Sequence, residues 1–474
     1  MKESLRYALL EAQLELARRA SRSVVLVVTG HAATGKTALI NELNHRLENR
    51  LTEVHALAPS SEERERPYWW RYWRRLPARG RVGVFVHGWY GDALFARTEQ
   101  RLGEGAFRDR LAEIRAFEAE LAAENVAIVK LWLDIDRDVQ GRHLRALWHD
   151  PERAWQVKDH DWQRHLQYDA LSRLGHAMRE ATEADHAPWH RLAGGPGETP
   201  IKALAHRLVA AMAGPLPAVK APGFRPTKGI GAPPRLSDLA AASRKAIDKA
   251  TYRERLAEAQ ARLAGNAREV QRRRIPVVLA FEGQDAAGKG GCIHRLTSAL
   301  DARQYRVHRI AAPSDEERAH PWAWRFWRRL PLDGRVAIFD RSWYGRVLVE
   351  RVEGLAEPAA WRRGYDEIRR FERQLLAHGA VLGKLFLAVD RDEQLRRFRS
   401  RAETPHKRHK LTEEDWRNRE RWDDYRRAID DMFVHTHDVD GGWALIDAND
   451  KRRARLAVLD HVNRLLEARL AEPR

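Results

Sequence analysis

Residues 67–77 read PYWWRYWRRLP, and 254 positions later residues 321–331 read PWAWRFWRRLP. The same offset pairs Pro59-Ser60 with Pro313-Ser314, Phe117-Glu118 with Phe371-Glu372, Lys130 with Lys384 and Asp136 with Asp390. The chain therefore reads as one domain written twice. A period this long excludes short-repeat solenoids and propellers. Residues 214–234, GPLPAVKAPGFRPTKGIGAPP, hold six prolines and four glycines and read as an extended linker. The expected domains are copy one at 1–213 and copy two at 235–474, each large enough for its own core.

The single cysteine, Cys292, excludes a disulfide framework and a Cys-ligated zinc site. The opening MKESLRYALLEAQLELARRA carries acidic residues and no apolar core run, unlike a secretory signal. No stretch reaches the ~18 apolar residues of a membrane span. A cytoplasmic location is the expectation. The chain holds 85 Lys+Arg against 67 Asp+Glu, a formal charge of +18. Such a surplus suggests a polyanionic partner: nucleic acid, an anionic membrane or a phosphate polymer. The plainer alternative is arginines on the solvated faces of an Ala- and Arg-rich chain.

Both copies show the same order of patterns. An amphipathic helix opens each, LLEAQLELA at 9–17 and LAEAQARLA at 256–264. A short apolar run follows, Val24–Val28 or Val277–Phe281, then a glycine turn and helical periodicity. That is the pattern of a buried parallel strand in a βαβ unit. Two more runs recur: RVGVFV (81–86) with RVAIFD (335–340), and VKLWLDI (129–135) with GKLFLAV (383–389). Copy two adds WALIDAN at 443–449. Strands alternating with helices predict an α/β fold, a parallel sheet with helices on both faces, duplicated in tandem. The Trp-rich segment lies between the first helix after the glycine turn and the second strand. Its aromatics are expected in the core, since both copies keep them.

Copy one carries Gly30-His31-Ala32-Ala33-Thr34-Gly35-Lys36-Thr37, a full match to G-x-x-x-x-G-K-[ST]. Copy two carries Gly283-Gln284-Asp285-Ala286-Ala287-Gly288-Lys289-Gly290, without the final Ser/Thr. Such loops close backbone N–H groups around phosphate oxygens at a helix N-terminus, and the lysine adds a point charge. A pattern match alone would make copy one the active half. Phosphoryl transfer also needs carboxylates for Mg²⁺ and cations for the moving phosphoryl group. Copy two has Asp285 where copy one has Ala32, and Asp340-Arg341 where copy one has Val86-His87. With no hydroxyl at Gly290, Asp285 and Asp340 become the candidate metal ligands. A simpler role for Asp340 would be to cap the following turn.

A second difference lies further on. Residues 396–410 of copy two hold seven Lys/Arg (Arg396, Arg397, Arg399, Arg401, Lys407, Arg408, Lys410) against one acid, Glu403. The aligned window 142–156 holds three against two. A charge run is usually a solvated face, but density confined to copy two reads as a basic lid, about 396–420, that clamps a phosphate chain. Thr412 and Asp415 predict the N-cap of the next helix. The cationic neighbours of His406 and His409 argue against a metal there.

The segments GQDAAGKGG (283–291), PWAWRFWRRLP (321–331), FDRSWYGRVLVER (339–351), RAETPHKRHK (401–410) and DANDKRRA (447–454) together resemble the polyphosphate kinase 2 family. The resemblance covers nearly all of copy two and, more weakly, copy one. The two-copy arrangement resembles that family's tandem-domain class. The resemblance implies a P-loop kinase fold like thymidylate kinase, Mg²⁺ dependence, and transfer of a phosphoryl group from inorganic polyphosphate to AMP, giving ADP. Carried over by position, Asp285 and Asp340 are the essential carboxylates, and Lys289 and Arg341 contact the transferring phosphoryl group. Arg401 joins them as a catalytic lid residue. Gly283, Gly288, Gly290, Arg346, Glu350, Lys407, Arg408 and Lys410 are implied to bind phosphate or nucleotide. The family commonly has Arg at the place of Gln284 and Asn at that of Gly345. Catalysis is expected in copy two only. Copy one is expected to act as a pseudo-partner in a homo-oligomeric kind of assembly. On this reading the charge serves the phosphate polymer, and no nucleic acid or membrane partner is expected. Two alternatives stay open: ADP as acceptor (or the reverse reaction), and a non-catalytic polyanion-binding module.

Overall fold

The computed structural model describes residues 3–56, 59–195, 200–219, 232–241, 247–437 and 442–473; the side chains of Glu3, Ala240, Ala241, Lys407, His409 and Lys410 lie outside the description. Of the Pro/Gly-rich segment, residues 220–231 also lie outside it. By packing, the chain falls into two units. One comprises Met1–Pro59, Arg71–Ala221 and Pro313–Trp324; the other comprises Ser60–Trp70, Pro222–Ala312 and Arg325–Arg474.

The first unit contains a sheet of five strands: β1 Ser23–Gly30, β2 Thr52–Ala56, β3 Val82–Val86, β4 Val126–Asp134 and β5 Trp189–Ala193. The second contains β6 Val277–Gly283, β7 Tyr305–Arg309, β8 Val336–Asp340, β9 Val381–Ala388 and β10 Trp443–Asp447. The orders are β2-β3-β1-β4-β5 and β10-β9-β6-β8-β7, the same order counted from opposite edges. Every strand pair is parallel, so crossover helices must cover both faces. β1 and β9 are buried along their whole length, as their apolar runs predict, with Lys384 of β9 the one charge among them.

Sequence patterning found the central strands and passed over β2, β5 and β7. These edge strands read TEVHA, WHRLA and YRVHR and are partly exposed. An edge strand buries little, so its sequence carries no clean apolar signal. The strand after the Trp-rich segment is therefore the third in chain order within each copy, not the second. The tryptophans are buried as expected: Trp69, Trp73, Trp324 and Trp327 are among the least exposed residues. Pro59-Ser60 and Pro313-Ser314 recur because Ser60 and Ser314 each form a capping box, with Glu63 and Glu317. Asp136 recurs as the N-cap of the helix Arg137–Trp148, accepting from the amides of Asp138 and Val139.

One polar cluster is kept fully buried in both halves. Lys384 Nζ lies 3.1 Å from Glu372 Oε2 and donates to the Thr436 carbonyl at 2.7 Å. Glu372 Oε1 accepts from Trp343 Nε1 at 2.9 Å and from Tyr344 Oη at 2.5 Å. In the first unit Lys130, Glu118, Thr182, Trp89 and Tyr90 repeat every one of these contacts. Each charge is paired and the carboxylate's two oxygens are both served, which is the condition for burying an ion pair without a large penalty. Removing one partner strands the other. Lys384→Met is expected to lower unfolding free energy by about 3–5 kcal/mol in urea denaturation.

Among the described residues, no helix is long and apolar enough to cross a membrane.

Candidate active site

β6 is the central strand of its sheet, between β8 and β9, and the glycine loop leaves its C-terminal end. In an open parallel sheet this is where ligands bind. Gly283 has φ +142°, and a Cβ there would collide with the Leu387 carbonyl. Gly30 has φ +135° and the same obstruction at Leu133. Only glycine fits this close approach. Gly288, at φ 107°, caps the helix Lys289–Thr297. Nothing stands within 4 Å of a Cβ built on Gly290, so the missing side chain leaves open space at the helix start.

The carboxylates converge on this loop. Asp285 Oδ1 accepts from Arg341 Nη2 at 2.9 Å and its Oδ2 accepts from Asn418 Nδ2 at 2.8 Å. Arg341 begins the turn after β8 in a left-handed conformation, φ 63°, and its amide donates to the Phe281 carbonyl at 3.0 Å. His87 holds the same conformation, φ 60°, in the first unit. Asp340 ends β8 beside it, and among the described residues its carboxylate accepts no hydrogen bond. Lys289 Nζ donates to the Gly283 carbonyl at 2.6 Å. Burial lowers the Lys289 pKa, and Arg341 adds to that, while Asp285, Asp340 and Glu282 oppose it. An anion bound over the loop would restore the ammonium's preference for its charged form.

Two groups here were not singled out from the sequence. Glu282 is buried, and its Oε1 accepts from the Ser342 amide and hydroxyl, each at 2.8 Å. Burial raises its pKa against the pull of Ser342, Lys289 and Arg341. Asn418 holds Asp285 and in turn accepts from Tyr425 Oη at 3.1 Å. The signal for both was available in the repeat, where Thr29 and Arg164 stand at the aligned positions. A cleft beside the loop is lined by Asp285, Arg341, Phe386, Asn418, Trp422 and Tyr425.

The remaining candidates divide. Arg397, counted with the basic lid, is buried inside the fold. Its Nη1 donates to the Ala286 and Ala287 carbonyls at 2.9 and 3.0 Å, and its Nη2 to Ala448 at 2.6 Å. It braces the phosphate loop from behind and does not face solvent as a lid cation. His143 does the same in the first unit, with Nδ1 2.9 Å from the Ala33 carbonyl. Arg346 pairs with Glu350 at 3.0 Å, and neither is among the residues lining the cleft. Arg401 lies in the helix Arg391–Glu403, and its charge bears on Asp415. Arg408 is exposed and donates to the Ala402 carbonyl at 2.8 Å. Thr412 and Asp415 form the expected capping box.

In the first unit the equivalent groups change together. Ala32, Val86, His87 and Arg164 replace Asp285, Asp340, Arg341 and Asn418. Lys36 is enclosed, its pKa brought down to about 8 by burial. His87 is also held neutral by burial, 3.1 Å from Thr29 Oγ1. The Walker lysine survives there without a carboxylate in the loop or at the strand end.

A glycine loop on a central parallel strand, over a helix N-terminus and flanked by two carboxylates, defines a P-loop phosphate-binding enzyme. The family model described as polyphosphate kinase 2 matches residues 1–197 and 246–473. A polyphosphate:AMP phosphotransferase of Pseudomonas aeruginosa is 43% identical over 469 residues, 98% of this chain and 94% of that protein. One of Pseudomonas syringae is 40% identical over 475 residues, 99% and 95% of the two chains. A crystal structure described as polyphosphate kinase 2 from Pseudomonas aeruginosa superposes with TM-score 0.87 at 40% identity, covering 99% of this chain and 96% of that one. The chain belongs to the polyphosphate kinase 2 family.

Removing the brace behind the loop tests its role. Arg397→Met leaves buried carbonyls without donors and is expected to cost about 1–3 kcal/mol of stability. Arg397→His, the residue copy one uses, should cost less in the same denaturant titration.

Proposed function

We propose that this chain transfers the terminal phosphoryl group of inorganic polyphosphate to AMP, giving ADP, in the cytoplasm and with Mg²⁺. The chemistry is assigned to the second copy. The observation that carries this reading is the set Asp285, Asp340, Lys289 and Arg341, gathered around one phosphate loop and lost as a group from the other.

The donor set suits a magnesium ion: hard carboxylate oxygens, one of them on Asp340 without a hydrogen bond among the described residues, with phosphate oxygens and water to complete the shell. Asp285 and Asp340 would hold it, and when bound it would offset charge on the phosphate oxygens and orient them. An oxygen of the AMP phosphate attacks the terminal phosphorus of the polymer. The anhydride bond to the next phosphate breaks, and the chain leaves one unit shorter. Lys289 and Arg341 donate to the non-bridging oxygens where charge accumulates. Asn418 and Glu282 act as positioning residues, one on Asp285 and the other on the turn that carries Arg341. Arg401, Lys407, Arg408 and Lys410 provide the cationic track for the rest of the polymer. Binding should therefore weaken as salt rises. Copy one serves as a non-catalytic companion.

Incubation with polyphosphate and AMP is expected to give ADP only when Mg²⁺ is present. ATP from an ADP arm would make ADP the acceptor instead. No product from either nucleotide would leave a polyanion-binding module. Asn418→Ala is expected to lower kcat by roughly ten- to a hundredfold, as loss of a partner that orients a metal-binding carboxylate does, with a smaller change in the KM for polyphosphate.

A further inference from the structure

The first copy has lost the catalytic groups, yet it contains a cavity of about 660 Å³ of its own. The cavity opens at the C-terminal ends of β4 and β5 and is lined by His31, Trp132, Asp134, Tyr168, Arg179 and Arg191. Both faces of the comparison matter. In copy two the aligned residues Phe386, Ala388, Phe433 and Leu445 make this region apolar, with Phe386 and Phe433 packed edge to face at 5.3 Å. In copy one they become Trp132, Asp134, Arg179 and Arg191. Ile429 becomes Gly175, and Trp132 lies where a side chain at that glycine would stand. Loss of a catalytic site does not call for a buried arginine, Arg179, in place of the fully buried Phe433. These substitutions build polar functionality where packing alone would favour its absence.

The polar groups are also incompletely paired. Arg191 is held by Asp134, which additionally accepts from Trp132 Nε1 at 3.2 Å. Arg179 is 9% exposed, lies with its guanidinium 4.4 Å from the Trp132 ring centre, and leaves Nη1 buried with no hydrogen-bond partner. His31 is 1% exposed and stacks on Tyr168 at 4.5 Å. Its Nε2 lies 3.2 Å from Ser172 Oγ, while Nδ1 is buried without a partner. Burial brings the His31 pKa down to about 4, so the ring is neutral. Asp134 and Glu180 offset the Arg179 charge in part, while burial and Arg191 work against it. A buried guanidinium with an idle donor calls for an anion, and its planar fork suits a phosphate or carboxylate. The volume and the aromatic walls are those of a site for an organic ligand of nucleotide size.

We propose that this cavity of copy one is a binding site for a nucleotide-sized phosphorylated ligand, with its anionic oxygens on Arg179 and its body against Trp132 and Tyr168. The site is separate from the phosphate loop of copy two and holds whether or not AMP is the acceptor there. Calorimetric titration of the full chain with AMP, ADP and pyrophosphate tests it. The variants Arg179→Phe and His31→Gln carry the residues that copy two has at these positions, so at least one is expected to fold. Either variant should lower the stoichiometry by one equivalent per chain, or weaken that equivalent at least tenfold. Loss for nucleotides but not pyrophosphate supports the proposal with the base contributing. Loss for all three supports it with the phosphate oxygens sufficient. Unchanged titrations in both variants, for all three probes, overturn it.

Discussion

The buried pair of Lys384 and Glu372 fixes the turn that carries Asp340 and Arg341. Glu372 holds Trp343 and Tyr344 through one oxygen and Lys384 through the other. Trp343 and Tyr344 follow directly on Asp340, Arg341 and Ser342. The turn that carries Asp340 and Arg341 is therefore anchored to the core by charge-assisted hydrogen bonds with no water to compete. Such an arrangement adds less to stability than to uniqueness, because a shifted turn would leave a buried charge unpaired. Lys130 and Glu118 hold the aligned turn of copy one in the same way, although His87 has replaced the arginine there. The anchor is thus separable from the residues it positions: it persists in copy one, where Val86 and His87 stand in place of Asp340 and Arg341.

This separation explains why the sequence was so readable. Tandem copies under one folding constraint and two functional constraints allow each substitution to be sorted. The strand cores, the tryptophans and the capping serines recur, and the structure places them in the framework. Ala32, Val86 and His87 stand against Asp285, Asp340 and Arg341, and these three positions of copy two meet at one loop. The better Walker match, with Thr37, belongs to the half without the carboxylates.

What the sequence concealed has physical reasons. Edge strands β2, β5 and β7 bury too little to show an apolar pattern. Glu282 lies at the end of an apolar strand and Asn418 sits in a charge-rich helix; the repeat marks both as different between the copies, and their hydrogen bonds to Ser342 and Asp285 show what they hold. Arg397 was indistinguishable from its lid neighbours by composition, because burial depends on which side of the helix Arg391–Glu403 faces the loop. Its work on the Ala286 and Ala287 carbonyls is a matter of packing. Charge density thus marked a basic segment and did not tell which of its cations are buried in the fold.

The central claim is that phosphoryl transfer belongs to copy two alone. Turnover of polyphosphate and AMP by full-length Lys289→Ala and full-length Lys36→Ala tests it most directly. Lys289→Ala is expected to lower kcat by about 10²–10³-fold, the usual cost of removing one donor to a charge-accumulating centre, and Lys36→Ala to leave it largely unchanged. The reverse pattern, activity lost with Lys36 and kept without Lys289, would contradict the account.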